Sequence, residues 1–406
     1  MSQETDVAVL GAGSAGAAAS LLCARRGLSV VCIERRDLNR AGTPWVNELP
    51  AACFDETEIP RPTGDELVSQ GDAFHLVAGW GPAQIVVRDH ESLTVDTRRL
   101  VVRLQSLAKD AGVTMLGRAF VRAIDGEVVR TSAGDVRARI IVDASGFSGA
   151  RLPEKVPIRT SDVCAAAHEV HVVRNMDAAS AFFAIHGSMM GETICFTGIA
   201  GGYSVLNVRL TRGLISILAA SIPGDGQPSG RSLLQAFLAQ NRWIGETVFG
   251  GSRAIPLSVL GGPLGHGNVA RIGDAGHQVF SAHGSGMATG LLAARVLADA
   301  LAAGEGVEGY DVAWHRRYGA LHATSDLFRR FTQTLAPEDI AKMIRCGLVS
   351  EEMVRAGLEQ RWPLGGARTL VSVARAARWP WLAFSVWRLA LRAVFLRLSY
   401  RFYAAA

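Results

Sequence analysis

Residues 6–36 read DVAVLGAGSAGAAASLLCARRGLSVVCIERR, and this stretch decides the fold. A short apolar strand runs directly into three glycines, Gly11, Gly13 and Gly16, in the spacing GxGxxG. In such a turn the first glycine allows the sharp bend and the second lets a pyrophosphate approach the backbone. The third glycine lets the following helix pack closely on the strand. The stretch therefore predicts strand, turn, helix and strand around a dinucleotide.

The second predicted strand, LSVVCIE, ends in an acid, Glu34. A carboxylate at this point accepts hydrogen bonds from both ribose hydroxyls and repels a 2′-phosphate, which favours FAD or NAD over NADP. The amides at the start of the helix face the phosphates, where the helix dipole favours negative charge. The residues predicted to bind this end of the cofactor are Gly11, Gly13, Ser14, Ala15, Gly16, Glu34 and Arg35.

A second glycine-rich turn follows much later, in NVARIGDAGHQVFSAHGSGMATGLLAARVLADAL at 268–301. Asp274 follows an apolar strand and is available to accept from a sugar hydroxyl. The free amides of the next helix start can face the pyrimidine edge of a flavin and stabilise its reduced, anionic form. A flavin dinucleotide is long enough to need two such remote contacts, so we predict FAD. The residues assigned to this end are Gly273, Asp274, Gly284, Ser285, Gly286 and Met287.

Three motifs together resemble the single-component FAD oxygenases and their relatives. They are the 11–16 turn with Glu34, the DASGFS stretch at 143–148, and GDAGH at 273–277 followed by GSGMATG at 284–290. The group includes p-hydroxybenzoate hydroxylase, flavin-dependent halogenases and geranylgeranyl reductases. The resemblance implies a discontinuous FAD domain with an inserted substrate sheet. It also implies that Val121 lies near the adenine and that Asp274 binds the ribityl–pyrophosphate region.

Some positions depart from the pattern of that group. Phe280 and Ser281 stand where the hydroxylases show two prolines, and His283 replaces a glycine of the loop. Thr97 stands where an arginine usually opens the next helix. Its neighbours Arg98 and Arg99 are therefore either phosphate-facing residues or a solvated helix start.

The predicted fold class is α/β, with a discontinuous Rossmann-type FAD-binding domain, an inserted antiparallel-sheet substrate domain and a C-terminal helical region. The short alternating apolar runs between 74 and 95 and between 160 and 220 predict one antiparallel sheet. The predicted divisions are FAD-binding residues 1–73, 96–160 and 256–303, substrate-sheet residues 74–95 and 161–255, and helical residues 304–406.

Composition restricts the class of protein and its partners. Hydrophobic residues make up 49% of the 406 residues and charged residues 19%, as in a globular chain. Six cysteines without CxxC spacing and an acidic N-terminus predict a reduced, cytoplasmic protein without an export signal. No cluster of histidine, cysteine and acid has metal-ligand spacing, so no metal is expected.

The net charge of +5 is concentrated in the tail, since residues 360–406 hold eight arginines and no acid, which leaves 5 − 8 = −3 for the rest. Nucleic acid is therefore not expected as a partner. The apolar tail is interrupted too often by arginine to span a bilayer. The favoured interpretation is a lid over an apolar substrate pocket, with arginine stems extending outward. The alternative is a peripheral contact of residues 370–406 with an anionic membrane or an acidic protein.

The same cofactor cradle serves several reactions. Halogenases of this group use an early lysine, but the first lysine here is Lys109, and arginine cannot replace it. The leading prediction is a monooxygenase that hydroxylates a bulky apolar or aromatic substrate, free or bound to a carrier or peptide, through a flavin C4a-hydroperoxide. A geranylgeranyl-reductase-like reduction of C=C bonds is the alternative, and a flavoprotein maturation or interaction factor is the third. No second GxGxxG follows a strand, so NAD(P)H is expected to act as an external reductant, or a partner protein supplies the electrons.

Two histidines near the flavin loop are candidate catalytic residues. His283 could move a proton next to the flavin, or it could simply bind backbone. His277 could donate a proton or organise the loop. Strand alternation also places Glu169 and His171 on one face, which is either a surface pair or a pair at the substrate cavity.

Overall fold

The computed structural model describes residues 3–149, 157–363 and 378–404. The described strands are β1 Gln3–Leu10, β2 Val30–Ile33, β3 Val46–Pro50, β4 Leu67–Gln70, β5 Phe74–Ala78, β6 Gln84–Val87, β7 Ser92–Asp96, β8 Thr114–Leu116, β9 Val121–Asp125, β10 Val128–Thr131, β11 Gly134–Asp143, β12 Val163–Val173, β13 Thr193–Thr197, β14 Ser204–Thr211, β15 Leu214–Ser221, β16 Ile244–Pro256, β17 Gly265–His266 and β18 Val269–Arg271.

The described α-helices alternate with these strands at first and then follow one another without strands. They are α1 Ser14–Arg25, α2 Ala52–Thr57, α3 Thr97–Asp110, α4 Met176–Ile185, α5 Gly230–Gln240, α6 Met287–Ala302, α7 Gly306–Trp314, α8 Ala320–Thr332, α9 Pro337–Cys346, α10 Glu351–Leu358 and α11 Pro380–Arg401. A π-helical turn at His315–Gly319 joins α7 to α8.

An eight-stranded sheet carries the first glycine turn, and its strand order is β17-β18-β11-β1-β2-β8. The strands β18, β11, β1, β2 and β8 run parallel, while β9 and β10 form a hairpin beside β11. Helices α1, α3 and α6 pack on this sheet and form its main core with it. The alanines of α1 allow the close approach, since Ala17, Ala18 and Ala19 are fully buried. This is the α/β fold that the sequence predicts.

A seven-stranded sheet, in the order β16-β12-β15-β14-β13-β5-β6, forms the second layer. All its neighbours are antiparallel except β5 and β13, which are parallel. The sheet is therefore mixed where alternation predicted an antiparallel one. Alternation reports which face of a strand is buried, but it does not report pairing direction. Strands β5 and β13 are also far apart in sequence, so no hairpin fixes their direction.

A small antiparallel sheet, β3-β7-β4, lies between the two larger layers. All five residues of β7 are buried. The apolar run at 92–95 predicts a strand of the same sheet as β5 and β6. In the structure β7 pairs with β3 and β4 instead. The β3 strand and the start of α3, next to β7, border the functional site described below.

The helices after residue 304 pack as a layer on the two sheets. Among them, α11 packs against α8 and the π-helical turn, and the Tyr400 ring lies against Gly319. At the other end of α11, Leu382 is fully buried with Ile340 and Met343 of α9. Within the described ranges, no helix combines the length and apolar character needed to cross a bilayer.

Candidate active site

A groove of about 270 Å³ lies at the carboxyl ends of β1, β2, β11 and β18. This is where ligands bind in open parallel sheets. The two glycine-rich turns meet here, although they lie far apart in the chain. The residues from these turns that line the groove are Gly11, Gly13, Ser14, Ala15, Glu34, Arg35, Gly273, Asp274, Gly284, Ser285, Gly286 and Met287.

The first turn accepts only glycine at two positions. Gly11 has φ +102°, and a Cβ atom there would lie 2.6 Å from the carbonyl oxygen of Ala144. A Cβ atom on Gly16 would lie 1.9 Å from the carbonyl oxygen of Gly11. Gly13 is different, because the nearest atom to its Cβ would be 3.4 Å away. The space beside Gly13 is therefore free in the protein and available to a ligand phosphate.

Glu34 closes one end of the groove. Its buried carboxylate accepts hydrogen bonds from the backbone N–H of Ala12 at 3.0 Å and of Arg36 at 2.9 Å. These bonds fix the carboxylate at the end of β2, and each oxygen retains a lone pair for a further donor. This arrangement fits the hydroxyls of an adenosine ribose.

Asp274 lies at the other side of the groove and has no hydrogen-bond donor to its carboxylate among the described residues. Burial raises its pKa to about 6, and the positive charge of Arg253 partly opposes this shift. A Cβ atom on Gly286 would lie 2.9 Å from the Asp274 carboxylate, so the loop glycine leaves this group accessible. A carboxylate without a partner in a groove fits the ribityl hydroxyls of FAD.

Arg253 was missed by sequence reasoning. It lies on β16 of the seven-stranded sheet, yet it lines the groove beside Arg35 and Arg36. Burial and the two neighbouring arginines lower its pKa, which shows that positive charge accumulates there. Arg253 is therefore placed to receive a phosphate. No motif surrounds it in the sequence, so only the fold could identify it.

We expect FAD affinity to fall in acid because of Asp274. The ribityl hydroxyls donate to the ionised carboxylate, so binding favours that form and releases the proton when the pH is below about 6. By linkage the affinity should fall about tenfold per pH unit below that value. Asp274→Asn should weaken binding at neutral pH and remove this dependence. Asp135→Asn, on the exposed end of β11, is the control. Flavin fluorescence titrations from about pH 8 to about pH 5 measure the effect, and an unchanged slope in Asp274→Asn would contradict the assignment.

A second cavity of about 320 Å³ adjoins the groove. The two share the residues Trp45, Asn47, Ile255, Gly284 and Ser285. Its walls are mostly apolar and come from β12–β15 on one side and from α8, α9 and α10 on the other. Thr97 helps to shape the junction, because its hydroxyl donates to the Thr43 and Trp45 carbonyls at 2.6 and 2.9 Å. An apolar ligand here would meet the flavin end of the groove.

Tyr203 lies at this junction and was not predicted. Its hydroxyl would be 3.2 Å from a Cβ atom on Gly284, the glycine shared by both cavities. The hydroxyl has no hydrogen-bond partner within the described part of the chain. Burial raises the pKa of Tyr203 well above its usual value, so the phenol keeps its proton at all ordinary pH values.

Arg99 and Val121, both predicted to bind the cofactor, do not line the groove. Arg99 forms ion pairs with Asp65 at 3.4 Å and with Asp96 at 3.8 Å, and it is exposed on the other side of α3. This side of α3 turns away from the groove, which Val101 lines instead. Val121 begins the β9 hairpin and packs on the Val129 side of the large sheet, away from the groove.

His277 also lies outside both cavities. It adopts φ +51°, and its ring packs edge-on against Phe147 with 6.2 Å between the ring centroids. Burial lowers its pKa. Its backbone N–H donates to the carbonyl of the groove residue Asp274 at 3.2 Å, while its ring lines neither cavity.

His283 does line the apolar cavity, but its ring is engaged. The Nε2 atom lies 3.0 Å from the Gly357 carbonyl oxygen, and the ring packs on Phe280 at 4.9 Å. Burial lowers its pKa. The bond to backbone matches the non-catalytic alternative for this residue, and it ties the flavin loop to the end of α10.

Glu169 and His171 lie on one face of β12 and His168 on the other, as the alternation predicts. His171 and Glu169 bond to each other at 3.0 Å and do not line the cavity. His168 lies on the opposite face and does line it, bonded to Ser216 at 2.8 Å. Burial lowers the pKa of His168 to about 3, so it stays neutral and cannot serve as an acid near neutral pH.

Among the described residues, helices α8, α9 and α10 cover the apolar cavity. Its outer wall contains Phe328, Met343 and Leu358 of α8, α9 and α10. The described part of the predicted lid is α11, and it packs behind α9 without lining the cavity. Residues 370–377 of that predicted lid lie outside the described ranges.

Comparisons with known proteins agree with this site. Residues 6–150 match the family model of FAD dependent oxidoreductases. The digeranylgeranylglycerophospholipid reductase of Sulfolobus acidocaldarius is 25% identical over 388 residues, covering 86% of this chain and 81% of that protein.

Two solved structures share the fold over nearly the whole chain. A geranylgeranyl bacteriochlorophyll reductase-like protein of Thermoplasma acidophilum aligns with a TM-score of 0.73 and 16% identity, over 96% of this chain and 100% of that one. A flavin-dependent brominase aligns with a TM-score of 0.66 and 17% identity, over 93% and 99%. With the glycine cradle, Glu34 and Asp274 in one groove, these similarities support FAD-dependent oxidoreductase chemistry, and residues 6–150 match that family.

Proposed function

We propose that this protein is an FAD-dependent reductase that saturates carbon–carbon double bonds in a bulky or elongated apolar substrate. The observation that carries the proposal is the apolar cavity that meets the cofactor groove at Gly284 and Ser285. The walls of that cavity are mostly apolar, and an alkene needs only apolar contact and one proton donor. The relative from Sulfolobus acidocaldarius, which aligns over most of both chains, is named as a reductase of this kind.

Once bound and reduced, FAD would supply the hydride for one carbon of the double bond. The residues of this chain must then protonate the other carbon, hold the substrate and exclude water. Tyr203 is the group placed for protonation, since its hydroxyl lies at the junction and keeps its proton. The proton leaves the phenol as the new C–H bond forms, and water later restores it. Reducing equivalents come from NAD(P)H or from a partner protein.

Two histidines and two cysteines of the cavity are less suited to that role, and Glu48, whose pKa burial raises, lies 3.7 Å from His90. His168 is neutral near physiological pH, and His283 is bonded to the Gly357 carbonyl. Burial raises the pKa of both Cys164 and Cys195 to about 12, so these thiols keep their protons, but each lies in the body of the sheet wall. We expect the two thiols to contribute apolar surface that excludes water from this wall. Excluding water favours hydride transfer to the substrate over reaction of the hydride with solvent.

Monooxygenation is the second candidate, and the hydroxylase-like loop GSGMATG at 284–290 favours it. It led the sequence predictions and remains a prediction. The alignment with a protein named as a digeranylgeranylglycerophospholipid reductase over most of the chain supports reduction as the first candidate.

A single-turnover experiment separates the two reactions. The holoenzyme is reduced anaerobically and mixed with a long polyprenyl alcohol. A reductase should return the flavin to its oxidised spectrum without oxygen and give a product heavier by two hydrogens in mass spectrometry. If the substrate is changed only after ¹⁸O₂ is admitted, and the label appears in the product, the protein is an oxygenase and the proposal fails.

A further inference from the structure

A row of large apolar side chains lies on the outer face of α11, away from the body of the protein. Trp387 is 57% exposed, Leu391 50% and Phe395 69%. Side chains of this kind are normally buried, and a contiguous exposed row marks a binding surface. The row comprises Phe384, Trp387, Leu391, Val394, Phe395, Leu398 and Phe402.

The spacing of this row makes it a single stripe along the helix. Its members recur every three or four residues, which keeps them on one side of a helix with 3.6 residues per turn. The opposite side of α11 is already used, because Leu382 is fully buried and Tyr400 packs on Gly319. Just beyond the helix, the Tyr403 hydroxyl donates to Asp311 at 2.9 Å. The stripe is therefore a second apolar face of α11, because the face that packs on the protein body is already buried.

Arginines border the stripe on both sides. Arg388 and Arg392 follow one edge of the helix, while Arg397 and Arg401 follow the other. None of these four has a carboxylate partner in the residues that the structure describes. The sequence from 360 to 406 contains no acid at all. The surface thus combines an apolar centre with a rim of unneutralised positive charge.

We propose that α11 lies in the plane of an anionic lipid bilayer, with its apolar stripe among the acyl chains and its arginines at the phosphate level. This is the arrangement of an interfacial amphipathic helix. Arginine and tryptophan both favour the headgroup region. A second copy of this chain fits the surface poorly, because pairing the same face would bring two sets of arginines together without acids between them. The charge of the rim instead matches anionic headgroups.

The docked helix would also bring the substrate cavity to the membrane. Leu382 of α11 packs on Ile340 and Met343, and both of these line the apolar cavity. If the proposed reductase function holds, docking of α11 would hold the α9 wall of the cavity near a bilayer that can carry an apolar substrate. The membrane contact itself does not depend on that function.

Vesicle flotation of the full-length holoprotein tests the contact. The wild type should float with vesicles of phosphatidylcholine mixed with phosphatidylglycerol, and float much less with phosphatidylcholine alone. Added salt should weaken binding, because the charges lie at the surface. The triple variant Trp387→Ser, Leu391→Ser, Phe395→Ser should lower the vesicle partition coefficient about 100-fold. Arg388→Gln with Arg392→Gln should remove most of the preference for anionic lipid.

A matched triple variant on other elements serves as the control. Phe120, Ile185 and Val248 are 57%, 80% and 52% exposed, and their replacement by serine should leave flotation unchanged. Flavin absorbance shows that each variant retains its cofactor and fold. The proposal is overturned if the wild type does not float with anionic vesicles, or if both triple variants float equally. It is also overturned if light scattering shows a dimer that the α11 variant alone dissociates, because the stripe would then be a subunit interface.

Discussion

Gly16→Ala is expected to yield a protein that is purified without its yellow cofactor and binds added FAD at least about 100-fold more weakly. The new methyl group would lie 1.9 Å from the Gly11 carbonyl oxygen, where no Cβ atom can remain. Alanine favours a helix over glycine by about 1 kcal/mol, but overpacking against rigid backbone costs about 1–3 kcal/mol or more. The clash therefore wins, and the start of α1 must move away from the turn that holds the pyrophosphate.

Two further glycines separate loss of the cofactor from loss of the fold. Gly13→Ala finds its nearest atom at 3.4 Å, so the free protein should tolerate it while the methyl group obstructs the phosphate. Gly261→Ala has open space and should change nothing. Absorbance spectra, FAD titrations and thermal melts report all three. Full FAD occupancy in both Gly16→Ala and Gly13→Ala would show that the phosphates lie elsewhere.

The cofactor groove could be predicted from the sequence because its chemistry is local. A glycine turn between a strand and a helix can be recognised from a few consecutive residues. The stretches at 11–16 and 284–290 are examples. Glu34 and Asp274 each end or follow an apolar strand, and parallel strands bring their carboxyl ends to one edge of the sheet. The sequence therefore predicts that these acids line the same groove, although it gives no distance between them.

The substrate side could not be predicted in the same way, because its residues meet only through long-range packing. Arg253 reaches the groove from β16, and Tyr203 reaches the junction from the turn before β14. Neither residue belongs to a motif. Arg99 is the opposite case. A basic residue at a helix start could face a phosphate, but the orientation of α3 about its axis directs Arg99 toward Asp65. Rotation about a helix axis is set by packing, which a single sequence does not display.

The second large effect is expected for Tyr203→Phe, which should lower kcat for alkene reduction about 100- to 1000-fold and leave FAD binding and substrate affinity almost unchanged. The variant loses one hydroxyl group and keeps the ring that packs beside Trp45 and Leu257. A hydride donated to one carbon cannot be retained unless the other carbon is protonated, and the Tyr203 hydroxyl beside Gly284 is the proposed donor. Because the pKa of Tyr203 is raised well above its usual value, ionisation of Tyr203 should not lower the wild-type kcat up to about pH 9.

Tyr318→Phe is the matched control, since it also removes a partly buried phenol, one that bonds to Glu56 at 2.8 Å outside both cavities. Its kcat should equal that of the wild type. If Tyr203 is the donor, Tyr203→Phe should change the solvent deuterium isotope effect on kcat and leave KM unchanged. If its role is purely structural, the variant should have a higher KM and a lower melting temperature. A Tyr203→Phe enzyme with wild-type kcat would move the proton source to ordered water and remove Tyr203 from the mechanism.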